Sequence, residues 1–150
     1  DKALVLAKKY DADIEIVLLG ALLHDIALIK KVGKRSDHHI NGAKIAEEIL
    51  NKYNYPQEKI KRVKNCVLHH RTSFDAENKE EVCVSDADIL SHFDNIPMIF
   101  DYAYKNYDVN LSNIRSFIKR YFENDYNDLS DKTKVIFKEE YENIMNVLFK

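Results

Sequence analysis

The chain has 150 residues, 45% of them hydrophobic and 32% charged, with a formal net charge of -2. That length suits one domain able to bury its own core, and the near-balanced charge argues against a general nucleic-acid binder, which needs a strongly basic face. The two cysteines, Cys66 and Cys83, lie in no C-x-x-C arrangement and give no sign of a disulfide framework or zinc ribbon. They read as reduced, buried thiols, so a cytoplasmic location is expected. No apolar run reaches the roughly 18 residues that a membrane span needs, because Asp13 and His24-Asp25 bracket the longest one. No basic segment leads into an apolar one at the start, so no secretion signal is expected either. The chain starts inside an apparent helix, and further sequence upstream of Asp1 is expected.

Only 3 Gly and 2 Pro punctuate the chain. Almost every segment repeats apolar residues at three- and four-residue spacing, which predicts an all-α helical bundle. A first helix runs to about Tyr10 and breaks at Asp11-Ala12-Asp13, where Asp13 is placed to cap the next. That second helix is expected to run through His24 and Asp25. Ile14, Ile16, Val17, Leu18, Leu19, Ala21, Leu22 and Leu23 leave it almost no polar side, the composition of an element buried on all faces. It fades at Lys30, Lys31 and Gly33. After a polar loop, 33–37, His38 and His39 open a helix whose inward side is Ala43, Ala46, Ile49, Leu50 and Tyr53. Pro56 starts another, 57 to about 71, in which the stripe of Ile60, Val63 and Val67 next reaches His70. A polar loop, 72–79, precedes a helix over 80–93. Three amphipathic segments follow, roughly 98–107, 111–126 and 130–149, with Phe and Tyr at helical spacing that reads as packing.

At about 100° per residue, Asp25 falls on the stripe of Ile14, Val17, Leu18 and Ala21, with His24 at its edge. A lone ionised carboxylate buried there costs more than a domain can absorb, so it must neutralise, pair or bind a cation. A neighbouring imidazole favours a metal ion, although a structural ion pair or hydrogen-bonded core histidine explains the pair taken alone as well. The other candidates are His38 or His39, His69 or His70, and Asp86 or Asp88. Nitrogen and oxygen donors without thiolate suit Mn, Fe, Co, Mg or Zn, and helical bundles build such sites from inward His and carboxylates on facing helices.

The order His24-Asp25, then His38-His39-Ile40-Asn41-Gly42-Ala43, then Val67-Leu68-His69-His70-Arg71, then Asp86-Ala87-Asp88-Ile89-Leu90-Ser91-His92-Phe93, resembles the HD-domain superfamily of metal-dependent phosphohydrolases. The resemblance spans residues 1 to about 100. It implies a single all-α domain over 1–150, with the motifs within 1–100 and additional C-terminal helices over 101–150. It implies hydrolysis of a phosphate mono- or diester, a nucleotide among the options, through a metal-activated water. His24, Asp25 and Asp88 match the first metal's ligands, together with a His upstream of Asp1. The motif favours Asp88, whereas helical periodicity favours Asp86. His38, His69 and His70 match the positions that hold a second metal, and here periodicity favours His39 over His38. Asp25 or Asp88 would orient the attacking water or take its proton. The partner implied is a small phosphorylated substrate, with neither membrane nor general nucleic-acid binding.

Lys30, Lys31, Lys34, Arg35 and Arg71 flank these positions and could neutralise phosphate, although ordinary solvated surface explains them equally. His92, one helical turn after Asp88, is a candidate supporting partner for it. Ile26, Ala27, Leu28 and Ile29 stand where the superfamily's alarmone hydrolases carry acidic residues, which argues against that chemistry. Two other readings keep the bundle without turnover: a ligand-sensing or regulatory module, and a plain helical interaction domain.

Overall fold

The computed structural model describes residues 1–106 and 110–150, and among these described residues frequent helix formers and few breakers produce nine α-helices. They are α1 (Lys2–Tyr10), α2 (Ile14–Leu23), α3 (Ile26–Ile29), α4 (His38–Lys52), α5 (Gln57–Leu68), α6 (Lys79–Asp94), α7 (Ile96–Asn106), α8 (Leu111–Asp128) and α9 (Asp131–Phe149). No strand occurs among the described residues, so the fold is all-α as expected. The expected end of α7 at Tyr107 lies outside the described residues. The chain divides into two compact units, Asp1–Asp88 and Ile89–Lys150, with the boundary inside α6.

In the first unit, Asp11 ends α1 in a left-handed conformation, and its N–H bonds back to the carbonyls of Ala7 and Lys8. Asp13 then caps α2 as expected, its Oδ1 accepting from the N–H groups of Glu15 (3.1 Å) and Ile16 (3.4 Å). The same residue ties three elements together. Its backbone N–H donates to Glu80 Oε1 of α6 (3.0 Å), and Arg62 of α5 reaches both Asp13 Oδ2 (3.2 Å) and Glu80 Oε1 (3.3 Å).

α2 packs against α1 and α5, and α4 against α3 and α5. At Gly20 the helix approaches its neighbours closely: an added Cβ would lie 2.8 Å from Cys66 Cβ of α5 and 2.9 Å from Val84 Cγ2 of α6. Leu6, Ile16, Val17, Ala46, Ile60, Val63, Cys66, Val67, Cys83 and Val84 are buried, and neither cysteine forms a disulfide.

Two expectations for α2 are corrected. The helix is not buried on all faces: Ile16, Val17, Gly20 and Leu23 point inward, whereas Ile14, Leu18 and Leu22 form an exposed row, Leu22 at 73%. Apolar composition permits burial without requiring it, since much of any folded surface is apolar. Nor does the helix continue through His24 and Asp25. It stops at Leu23, and Asp25 leaves helical geometry (φ -100°, ψ 16°) before the short α3 begins. Gly33, at φ 75°, turns the chain back toward α4, where Asn41 occupies the space that a side chain would need.

In the second unit, Asn110 caps α8 by accepting from Ser112 N (3.0 Å), and α8 packs against α7 and α9. Ile99, Ala103, Ile114, Ile118 and Phe122 are buried. Phe93 stacks on Phe122 (ring centroids 5.0 Å), and Tyr126 lies flat on Tyr141 (3.9 Å). Most of the aromatic stripe is therefore packing, as its spacing predicts, although Tyr102 and Tyr104 remain exposed.

Candidate metal centre

The break after Leu23 builds the site. A helix leaves its last carbonyls without intrahelical donors, and Ala21 O of α2 receives one from the His24 side chain, Nδ1 to O 2.8 Å. The same device recurs twice. His70, just past the end of α5, donates Nδ1–H to Val67 O (2.7 Å), and His38, at the start of α4, donates to Arg35 O in the preceding turn (2.7 Å). Each ring is thereby fixed with its Nδ1 proton committed to a carbonyl and its Nε2 turned away, the tautomer in which imidazole ligates through Nε2.

The three Nε2 atoms converge on Asp25. His38 Nε2 and His70 Nε2 are 3.0 Å apart, and Asp25 Oδ1 lies 3.3 Å from the first and 3.8 Å from the second. The carboxylate's other oxygen, Oδ2, is 3.7 Å from His24 Nε2, which also meets Asp88 Oδ1 at 3.3 Å. One carboxylate thus faces two adjoining groups of nitrogen and oxygen donors. His70 sits between the other rings, with centroids 5.1 Å from His24 and 4.9 Å from His38. Burial grades from His70, at 2% side-chain exposure, to Asp25, at 39%, so the cluster has a closed floor and an open side.

Electrostatics differ between the two groups. Burial lowers the His24 pKa, but the hydrogen bond and charge of Asp88, the Ala21 carbonyl and Asp25 outweigh it and hold the imidazole at about 9. His70 moves the other way: burial pushes its pKa down, with the neighbouring His24 and His38 adding to the effect. With both Nδ1 protons donated to carbonyls, the His38 and His70 Nε2 atoms face each other at 3.0 Å, a separation that a shared proton or a cation between them accounts for. Two of the three separations, 3.0 and 3.3 Å, are those of donors sharing one cation, and the third, His70 Nε2 to Asp25 Oδ1 at 3.8 Å, is longer. Donors held about 2.1 Å from one ion stand about 3.0 to 3.4 Å apart at octahedral or tetrahedral angles. Asp25, His38 and His70 offer three such atoms, all within 4.8 Å of one another.

The remaining candidates lie elsewhere. His69 is not among the converging rings: its Nδ1 donates to Glu81 Oε2 (2.8 Å), a fully buried carboxylate that also accepts from Glu77 N (2.8 Å) and Asn78 Nδ2 (2.6 Å). Asp86 is fully buried in α6, on the inward face where helical periodicity puts it, whereas Asp88 Oδ1 faces His24. At the start of α4 it is His38 that enters the cluster, where periodicity favoured His39. His39 lines an adjoining pocket, with Nδ1 buried and without a hydrogen-bond partner, and with its pKa lowered by burial and by Arg71. His92 pairs with Asp125 Oδ2 (2.8 Å) and Tyr121 OH (3.3 Å) in the second unit. Sequence reasoning overlooked Glu81, which reads as an ordinary acidic residue in the first turn of a helix.

Residues 1–92 match the HD domain family. The chain belongs to the HD-domain superfamily of metal-dependent phosphohydrolases. The cluster of Asp25, His38 and His70 is the kind of His/Asp group with which HD domains hold divalent metals. This HD domain is also 37% identical over 57 residues to an uncharacterized protein of Clostridium beijerinckii, a stretch covering 38% of this chain and 36% of that protein. The match thus spans about a third of the relative's own length. No solved structure matches. Among the described residues, no helix is long and apolar enough to cross a membrane.

Proposed function

We propose that this HD domain hydrolyses a phosphate mono- or diester of a small molecule, a nucleotide being one such substrate. The observation that carries the reading is the convergence of the His38 and His70 nitrogens, 3.0 Å apart, on one oxygen of Asp25 while the other oxygen faces His24. His38, His70 and Asp25 would hold one divalent cation, and His24, Asp88 and Asp25 would contribute to a second position beside it. When bound, such ions lower the pKa of a water and polarise a phosphoryl oxygen.

The chain's own residues then supply orientation and proton handling. The carbonyl bonds of Ala21, Arg35 and Val67 hold the three rings in register, so little reorganisation is needed when a substrate enters. Asp88, half-buried and paired with His24, takes the proton that the attacking water gives up, a role worth about 10² to 10⁴ in rate. Asp25 cannot be exchanged for a neutral group, because it serves both donor groups at once.

The test uses p-nitrophenyl phosphate, bis(p-nitrophenyl) phosphate and nucleoside phosphates with added Mn, Co, Ni or Mg. Hydrolysis by the wild type that is lost in the His24→Ala, Asp25→Ala double variant supports the reading. Hydrolysis that survives in the double variant overturns it. Metal bound at the cluster with no turnover on any substrate class favours the ligand-sensing module instead.

A further inference from the structure

A pocket of about 350 Å³ adjoins the cluster, lined by His39, Leu68, Arg71, Thr72 and Asp75. Its neighbourhood follows from the chain. His39 succeeds His38 with their ring centroids 5.7 Å apart, and Arg71 succeeds His70. The volume lies at the lower end of the range for small-molecule sites, larger than an ordered water or two would need.

Its chemistry suits an anion. Arg71 Nη1 donates to Ser36 O (3.3 Å), which steadies the side chain against the turn before α4 and leaves its other N–H groups for a ligand. Arg71 makes no ion pair among the described residues. Thr72 Oγ1 accepts from Phe74 N (3.2 Å), so its hydroxyl proton remains available to donate. A guanidinium beside a hydroxyl is a phosphate-binding combination, because the planar fork matches two phosphoryl oxygens at once. Asp75 brings the opposite charge to the same pocket and limits how strongly it holds an anion.

We propose that this pocket binds a second phosphate of the substrate, with Arg71 and Thr72 as its donors, so that the domain prefers esters carrying a further phosphate beside the scissile one. The inference rests on the phosphohydrolase reading for what the pocket serves, but its test needs neither metal nor turnover. Inorganic phosphate is titrated calorimetrically into EDTA-treated protein. Arg71→Gln weakens binding about tenfold, and Arg71→Lys recovers part of the loss, since an ammonium keeps the charge but not the fork.

Asp75→Asn tightens binding about threefold by removing a like charge, a gain that a folding defect cannot imitate. Asp25→Asn leaves the Arg71 dependence in place, which separates this pocket from the metal cluster. Equal affinity in wild type and Arg71→Gln, or no tightening in Asp75→Asn, overturns the proposal. Loss of hydrolysis in the cluster variants bears on the phosphohydrolase reading alone.

Discussion

Asp25 has two oxygens and the site uses each for a different set of partners, which makes this carboxylate the least replaceable group in the chain. His38 and His70 lean on Oδ1, and His24 leans on Oδ2 while sharing its proton with Asp88. With its pKa at about 9, His24 is an imidazolium at neutral pH in the metal-free protein, and it must lose that proton to ligate. Metal affinity at the His24 position therefore rises with pH, about tenfold per unit, until the pH reaches that pKa. Calorimetry in buffers of different ionisation heat should record close to one proton released per ion at pH 7. Asp88→Asn, which removes the largest influence raising that pKa, should lower the proton count. A proton count unaffected by Asp88→Asn would contradict the assignment. The His24-Asp25 pair was legible only in company with the three later motifs, because the doublet alone is explained as well by an ion pair or a hydrogen-bonded core histidine. The choices between Asp86 and Asp88 and between His38 and His39 were not. Both periodicity arguments assume a residue well inside a helix whose inward face is the site, whereas His38 opens α4 and the inward face of α6 buries Asp86 in the core.

At the scale of elements, helix ends decide the geometry. α2 stops at Leu23, α4 starts at His38 and α5 stops at Leu68, and each end contributes a ring whose Nδ1 satisfies a nearby carbonyl. Helix existence was readable from spacing along most of the chain. The break after Leu23 was not, because Ala21-Leu22-Leu23-His24 contains no Gly or Pro to announce it. α2 must also be held at a fixed depth if its end is to present His24 correctly, and Gly20 sets that depth. Gly20→Ala gains up to about 1 kcal/mol in helix propensity but forces Cβ against Cys66 and Val84, an overpacking that costs about 1 to 3 kcal/mol. Denaturant unfolding should show a net loss of stability, and metal affinity should fall with it because α2 cannot move outward without carrying His24 along. An alanine variant as stable as wild type would mean that α2 is free to shift and that its depth is not what positions the ring.

At the scale of the whole molecule, the chemistry is unevenly distributed. The donors at 24, 25, 38, 70 and 88 all fall in the first unit, and the HD-family match ends at residue 92. Past the end of the family motif at Ile89 to Phe93, which includes His92, the second unit gave no functional signal in its sequence beyond aromatic spacing. Its His92-Asp125 pairing joins residues 33 apart, which no local pattern reveals. A cation held by the first unit's cluster would cross-link the α2–α3 junction, the start of α4, the end of α5 and α6, segments that separate on unfolding. Because that ligand set exists only in the folded state, binding stabilises the unit by mass action, about 2.7 kcal/mol when the free ion is a hundredfold above its dissociation constant. Cys66 and Cys83 report on this directly, since both are buried in the first unit and burial pushes the Cys66 thiol well above its ordinary pKa. Neither should react with a thiol reagent in the native state except through opening of the unit. Where reclosing is faster than modification, adding Mn should slow labelling about a hundredfold relative to EDTA at that saturation, and Asp25→Asn should abolish the difference. Labelling that proceeds equally fast with Mn and with EDTA in the wild type would show that no ion bridges those four segments.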